Sequence, residues 1–324
     1  MTEKSAERPP LASADRPPLL VIFGPTAAGK TEIAEEVARR RSGEIVSADA
    51  FAVYRDFDVG TAKPTRERRA EIPYHLIDVA DPSETFSAGR WAGEARRAVE
   101  GITERGRLPI VCGGSGFYIS ALLDGLPPGE ARDPGLRERL AAWGKSHGPA
   151  AAHRVLEVND PVSASRIPVG NLRYTLRALE ILLVTGAPAS ARSAAPDRWA
   201  DRWRVIKVLV EPSREDLYAK IEERVRGMLD AGWDNEVRQL IQRGLSLESN
   251  AFGGIGYREV AGWISGRAER EQTRREIVAA TRRLAKRQKT WFARQRDVVR
   301  TTPGEALPAI LHLLDRRVET ERGG

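Results

Sequence analysis

Two hydrophobic patterns alternate along this chain. Short apolar runs occur at Leu19-Leu20-Val21-Ile22-Phe23, within 44–48, within 108–112 and at Val205-Ile206-Lys207-Val208-Leu209-Val210. Their length and β-branched content predict buried strands. Helix-period faces lie between and after them. Ile33, Ala34, Val37 and Ala38 recur within 32–41. Leu217, Ile221, Val225, Met228 and Leu229 form a second face, and Val237, Leu240 and Ile241 begin a third. This alternation predicts an α/β fold with a parallel sheet. From 121 to 202 the strand pattern stops. Helical stretches at 134–144, 150–158, 160–167 and 172–185 read as a helical insertion in that core. The expected organisation is a disordered tail at 1–18, a core at 19–120 and 203–315, the insertion at 121–202 and a frayed tail at 316–324. The first three runs lead into Gly24, Asp49 and Gly113-Gly114-Ser115-Gly116, and the fourth into Glu211-Pro212. Parallel sheets bind ligands beyond the carboxyl ends of their strands, so Lys30, Asp49 and Ser115 are expected in one crevice.

Composition narrows the class. The 324 residues leave room for a recognition surface beside one core, and 41% hydrophobic content supports that core. No apolar stretch approaches the roughly 18–20 residues of a membrane span. The first residues carry Pro9, Pro10, Pro17 and Pro18 with mixed charge, and no apolar core of a signal peptide. A cytoplasmic location is expected. The single cysteine, Cys112, excludes an intramolecular disulfide and argues against a cysteine metal site. The net charge of +7 suits a polyanionic partner. Its distribution says more. Arg282, Arg283, Lys286, Arg287, Lys289, Arg294, Arg296 and Arg300 face one acid, Asp297. Ile277, Ala280, Leu284, Trp291 and Phe292 recur there at helical spacing. One face is expected to pack. The others form a basic stripe, either simply solvated or in contact with phosphates.

The sharpest chemical signal is Gly24-Pro25-Thr26-Ala27-Ala28-Gly29-Lys30-Thr31, which fits G-x-x-x-x-G-K-[ST] between a predicted strand and helix. Backbone N–H groups of such a loop wrap a polyphosphate, and the helix N-terminus adds its dipole. Lys30 would neutralise phosphate charge, and Thr31 would offer its hydroxyl to Mg²⁺. The competing reading is a glycine-rich turn without a ligand. Asp49 would take a proton from a nucleophile or coordinate the metal through water; the competing reading is a capping aspartate. A hydrolase would add a second apolar strand ending in aspartate. Leu76-Ile77-Asp78 and Val210-Glu211 are the nearest approaches, and neither fits cleanly. A transferase acting on a second substrate fits better.

Several segments resemble the tRNA dimethylallyltransferase family. They are Val46-Ser47-Ala48-Asp49, Gly60-Thr61-Ala62-Lys63-Pro64, Tyr74-His75-Leu76-Ile77-Asp78, Gly113-Gly114-Ser115-Gly116-Phe117-Tyr118, Arg177-Ala178-Leu179-Glu180, Gly256-Tyr257-Arg258-Glu259 and Thr281-Arg282-Arg283-Leu284-Ala285-Lys286-Arg287-Gln288. They occur in order over about 20–295. The resemblance implies a phosphate-loop core with a helical insertion. It implies dimethylallyl diphosphate in the loop, Mg²⁺ as cofactor, and tRNA as acceptor through the adenosine 3′ of the anticodon. Asp49 would be the base, with Lys30, Ser115 and Arg224 around the leaving group. Asp49, Ala50, Phe51, Ala52, Ser115, Arg137, Arg173, Arg177, Phe252, Tyr257, Arg282 and Arg287 would touch tRNA. The chain departs from the family pattern at Ala50–Ala52, at Pro168-Val169-Gly170-Asn171 and at Tyr174. The alternatives are a small-molecule or nucleoside kinase, an adenylate prenyltransferase, and a nucleotide-gated RNA-binding protein. A monomer is the default expectation.

Overall fold

The computed structural model describes residues 16–126, 133–191 and 199–322. The disordered reading of 1–18 falls almost wholly outside them. Six strands form one sheet: β1 (Pro18–Phe23), β2 (Gly43–Ala48), β3 (Tyr74–His75), β4 (Leu108–Gly113), β5 (Arg204–Val210) and β6 (Val299–Thr301). Their order is β3-β2-β4-β1-β5-β6, and every pairing is parallel. β2 and β4 lie on one side of β1, while β5 lies on the other. The sheet therefore switches direction at β1, where such folds open a ligand crevice. The strands β3 and β6 were not expected; two or three residues are too short for a pattern to register.

The helices are α1 (Lys30–Arg41), α2 (Arg66–Glu71), α3 (Ala88–Glu104), α4 (Gly116–Leu123), α5 (Pro134–Asn159), α6 (Pro161–Arg166) and α7 (Leu172–Thr185). After β5 come α8 (Arg214–Asp230), α9 (Trp233–Gln242), α10 (Tyr257–Ile264), α11 (Arg270–Phe292) and α12 (Pro303–Arg322). Leu20, Ile22, Ile45, Ile110 and Val208 pack with Ile33 and Val37 of α1 and Ile310 of α12. On the opposite face Phe23 meets Phe292 of α11 with ring centroids 5.1 Å apart. With both faces covered, the strands read as unbroken apolar runs.

The chain divides into two compact units, Met1–Leu123 with Trp199–Gly324, and Asp124–Arg198. The second holds α5, α6 and α7 around Leu156, Ala164, Ala178 and Leu179. Gly148, at φ 79° and ψ 166° and followed by Pro149, breaks α5 into two helical stretches.

Two amphipathic faces differ from expectation. Ile241 is 38% exposed. It falls at the end of α9, whose buried side carries Trp233, Val237 and Leu240. In α11 the buried apolar set is Ile277, Val278, Ala285 and Phe292, while Ala280, Leu284 and Trp291 are half-buried.

Candidate active site

The turn from β1 into α1 is shaped by backbone requirements. A Cβ at Gly24 would lie 2.4 Å from the Val210 carbonyl oxygen of β5, so only glycine lets the strands run this close. Gly29 sits at φ 79° as the N-cap of α1, a left-handed conformation that glycine adopts without strain. Lys30 Nζ donates to the Pro25 carbonyl at 2.6 Å, and no carboxylate pairs with it among the described residues. Burial pulls its pKa down to about 8; the nearby Arg224 charge adds to this, and Asp49 and Glu32 oppose it. Beside the loop, Lys220 Nζ reaches 4.0 Å from where a Gly29 Cβ would be. Lys220 precedes Arg224 by one helical turn on α8, a spacing that gives it no signal of its own in the sequence.

Asp49 follows β2. Its Oδ1 accepts the N–H groups of Phe51 at 2.8 Å and Ala52 at 3.2 Å. This fixes the carboxylate in a turn rather than on a helix, and Oδ2 has no hydrogen-bond partner among the described residues. Ser115 N–H donates to the Ala48 carbonyl at 3.1 Å, bringing the β4 turn against the end of β2. A Cβ at Gly113 would lie 2.2 Å from the same carbonyl oxygen. Arg224 reaches in from α8, its guanidinium donating to the Thr61 carbonyl at 3.2 Å. Burial lowers its pKa, and Asp49 and Glu32 attract it. Asp49 thus favours the charge of both Lys30 and Arg224, Arg224 opposes that of Lys30, and Ser115 borders the same strand ends.

The Gly60–Pro64 segment braces this arginine. Glu236 of α9 accepts N–H groups from Asp58, Val59 and Gly60 at 2.8, 2.6 and 3.2 Å, and the Tyr257 hydroxyl at 2.8 Å. Trp233 fills the space beside Gly60 and Gly256; a Cβ there would fall 2.2 Å and 1.9 Å from its ring. Lys63, 1% exposed, donates to the Tyr54 carbonyl at 2.6 Å and to Asp58 and Asp78 at 2.9 and 2.5 Å. Asp78, also paired with Arg69, is therefore an ion-pair partner rather than a second metal carboxylate. Glu211 is likewise paired with Arg300. Glu236 and Trp233 gave no sequence signal that set them apart from ordinary helix residues.

The residues expected at tRNA fare unequally. Phe252 is 0% and Tyr257 1% exposed. They pack with Phe57, so their side chains belong to the core and offer no direct contact. Ala52 is buried as well, whereas Ala50 and Phe51 are half-buried, and Phe51 lies against Gly254. Arg137 and Arg177 both pair with Glu180, and Arg173 is exposed. On α11, Arg282 pairs with Glu222 and lies over the Tyr218 ring. Arg283, Lys286 and Arg287 are exposed and have no carboxylate partner among the described residues. In the sequence Gln288 stands out only as the last residue of the family-like segment Thr281–Gln288. Its amide instead accepts from Thr26 N–H and donates to the Gly114 carbonyl, each at 2.9 Å.

No group of three or more His, Cys, Asp or Glu side chains suited to a metal is present among the described residues. The Thr31 hydroxyl, without a protein partner there, suits a hard cation held mainly by substrate phosphates and water.

A family model described as IPP transferase matches residues 52–295, and one described as isopentenyl transferase matches 17–74. The tRNA dimethylallyltransferase of Desulfosudis oleivorans is 41% identical over 93% of this chain and 96% of its own length. That of Halorhodospira halophila is 42% identical over 91% and 96%. The crystal structure of the tRNA isopentenylpyrophosphate transferase from Bacillus halodurans matches 94% of this chain and 98% of its own, with 33% identity and a TM-score of 0.68. With a phosphate loop at the switch point of its parallel sheet and this likeness along most of its length, the chain belongs to the IPP transferase family.

Proposed function

We propose that this protein transfers a dimethylallyl group from dimethylallyl diphosphate to the exocyclic amino group of the adenosine 3′-adjacent to the anticodon in tRNA, releasing diphosphate. One observation carries the assignment of the site. Among the described residues Lys30, half-buried, has no counter-ion and lies within electrostatic reach of Asp49, whose second carboxylate oxygen has no hydrogen-bond partner. The first suits a diphosphate, and the second suits a proton on the acceptor. The amino nitrogen forms a bond to the allylic carbon, and the carbon–oxygen bond to diphosphate breaks with its electron pair on oxygen. The nitrogen is a weak nucleophile until its proton leaves, and Asp49 Oδ2 receives that proton. Lys30, Arg224 and the loop N–H groups stabilise the charge that grows on the departing diphosphate. Thr31 would hold Mg²⁺ together with diphosphate oxygens, and the ion would neutralise further phosphate charge. The Ser115 hydroxyl, free of protein partners among the described residues, is available to either substrate.

The adenosine must leave the anticodon stack to reach such a crevice. The insertion at 121–202 and the exposed cations of α11 are the surfaces assigned to holding the stem–loop. The protein is taken to act as a monomer. Incubation with Mg²⁺, labelled dimethylallyl diphosphate and an anticodon stem–loop tests the reading. Label on the adenosine 3′ of the anticodon, and none on AMP, is the expected result. Label on AMP alone, or ATP-dependent phosphorylation of a small substrate, would replace it.

A further inference from the structure

We infer that Gln288 is a positioning residue that sets the distance between the donor and acceptor halves of the active site, an inference that rests on the prenyl-transfer reading above. Its amide is the only side chain among the described residues that hydrogen-bonds both the phosphate loop and the turn after β4. Oε1 accepts the Thr26 N–H of the loop at 2.9 Å, and Nε2 donates to the Gly114 carbonyl at 2.9 Å. From Gly114 the connection continues to the acceptor side. Ser115 N–H donates to the Ala48 carbonyl at 3.1 Å, and Asp49 is the next residue. One side chain therefore ties the loop that receives diphosphate to the strand end that carries the base.

The chemistry of the link is specific. It needs an acceptor and a donor on one rigid planar group, which a primary amide supplies and a carboxylate or an ammonium does not. The turn is built to admit it. A Cβ at Gly114 would fall 2.6 Å from Gln288 Nε2. The helix that carries Gln288 is fixed on both sides of it. Ala285 is 1% exposed and Phe292 0%, and the Trp291 ring lies 2.4 Å from where a Gly116 Cβ would be. Gln288 also follows the exposed Lys286 and Arg287 directly, so the helix proposed to meet RNA carries the residue that holds the phosphate loop in shape. Removing the amide leaves Thr26 N–H and the Gly114 carbonyl without their partner. The loop and the turn are then free to drift apart, and small misplacement at a reacting centre costs rate steeply.

The test uses the full-length protein as Gln288→Ala and Gln288→Glu. The second keeps the side-chain size and the acceptor for Thr26 but sets a carboxylate against the Gly114 carbonyl. Inorganic pyrophosphate with Mg²⁺ is titrated by calorimetry, the anticodon stem–loop by fluorescence anisotropy, and transfer is followed at saturating stem–loop. Both variants are expected to bind pyrophosphate about tenfold more weakly, to raise the donor KM and to lower kcat about tenfold. Stem–loop affinity is expected to stay within about threefold of wild type, a split that a general folding defect would not produce. Pyrophosphate affinity and kcat both within about twofold of wild type would overturn the proposal. So would a loss of stem–loop affinity as large as the loss for pyrophosphate, which would make Gln288 an RNA contact. If Gln288→Ala does not fold, Gln288→Glu decides by the same criteria. The pyrophosphate arm needs no prenyl transfer, so inactivity of the wild type toward tRNA would count against the function and leave the pyrophosphate result to decide on the clamp.

Discussion

Two lysines whose ammonium groups are drawn out of water, each inside a glycine-containing motif, have opposite surroundings. Lys63 is saturated: two aspartates and a main-chain carbonyl accept its three protons. Lys30 has one carbonyl and no carboxylate contact among the described residues, and burial brings its pKa down to about 8. A buried cation left without a counter-ion is costly to a folded chain and ready for an anion from outside. A saturated one is scaffold. Gly60-Thr61-Ala62-Lys63-Pro64 is among the segments that carry the family resemblance, yet its lysine organises a loop whose Thr61 carbonyl holds Arg224. How specific a motif is and how close it lies to the chemistry are separate matters, and the partners of its charged atom tell them apart.

The comparison breaks most visibly under substitution. Lys30→Met should lower transfer by about 10²–10³-fold, the size expected for losing one preorganised charge at a leaving group. Thermal stability should hold or rise, because a desolvated ammonium without a counter-ion disappears. Lys63→Met should do the reverse, destabilising by about 2 kcal/mol, since it strands the Tyr54 carbonyl and parts of two aspartates. The figure is kept low because Asp58 is 57% and Asp78 30% exposed at the side chain. Transfer per folded molecule should then change less than tenfold, through Arg224. Calorimetric melting and steady-state kinetics on both variants check the pair, and matched effects on both measurements would erase the distinction.

The pH dependence of ligand binding sharpens it. Lys30 has a folded pKa lowered from 10.5 to about 8, so between these values the unfolded chain holds a proton that the unliganded fold has released. The stability contribution of this group therefore rises with pH across that window. Pyrophosphate favours the ammonium, so its binding above about pH 8 should take up a proton and weaken by up to about tenfold per pH unit. Calorimetry in buffers of different ionisation enthalpy reads the proton, and subtracting Lys30→Met removes the titration of pyrophosphate itself. A smaller effect lies on α11. Arg287→Ala should reduce the slope of log affinity for the stem–loop against log salt by about 0.7–0.9, the share of one phosphate contact, while leaving pyrophosphate binding unchanged.

The sheet strands and the phosphate loop could be read in advance because backbone geometry dictates them. The Gly24 position must clear a neighbouring carbonyl, and Gly29 must turn left-handed into α1. Strands covered on both faces leave unbroken apolar runs, whereas β3 and β6 are too short to leave any pattern. Asp49 was legible from its place after a strand. Gln288 was not, because a count of charges along α11 passes over an uncharged amide. Glu236 was missed because three of its four partners are main-chain N–H groups, which carry no residue signature. Phe252 and Tyr257 were expected at tRNA from the family resemblance, yet their side chains lie inward, because a match in position does not say which way a side chain points.

The central claim is that Asp49 takes the acceptor's proton in the crevice where Lys30 receives the diphosphate. Single-turnover transfer from labelled dimethylallyl diphosphate to the stem–loop by Asp49→Asn tests it most directly, with pyrophosphate and stem–loop affinities measured on the same preparation. The amide keeps an oxygen for the Phe51 and Ala52 N–H groups but cannot accept the proton. The account predicts transfer slowed about 10²–10⁴-fold with both affinities within about threefold of wild type. Transfer at the wild-type rate, or slow transfer explained entirely by lost stem–loop binding, would contradict it.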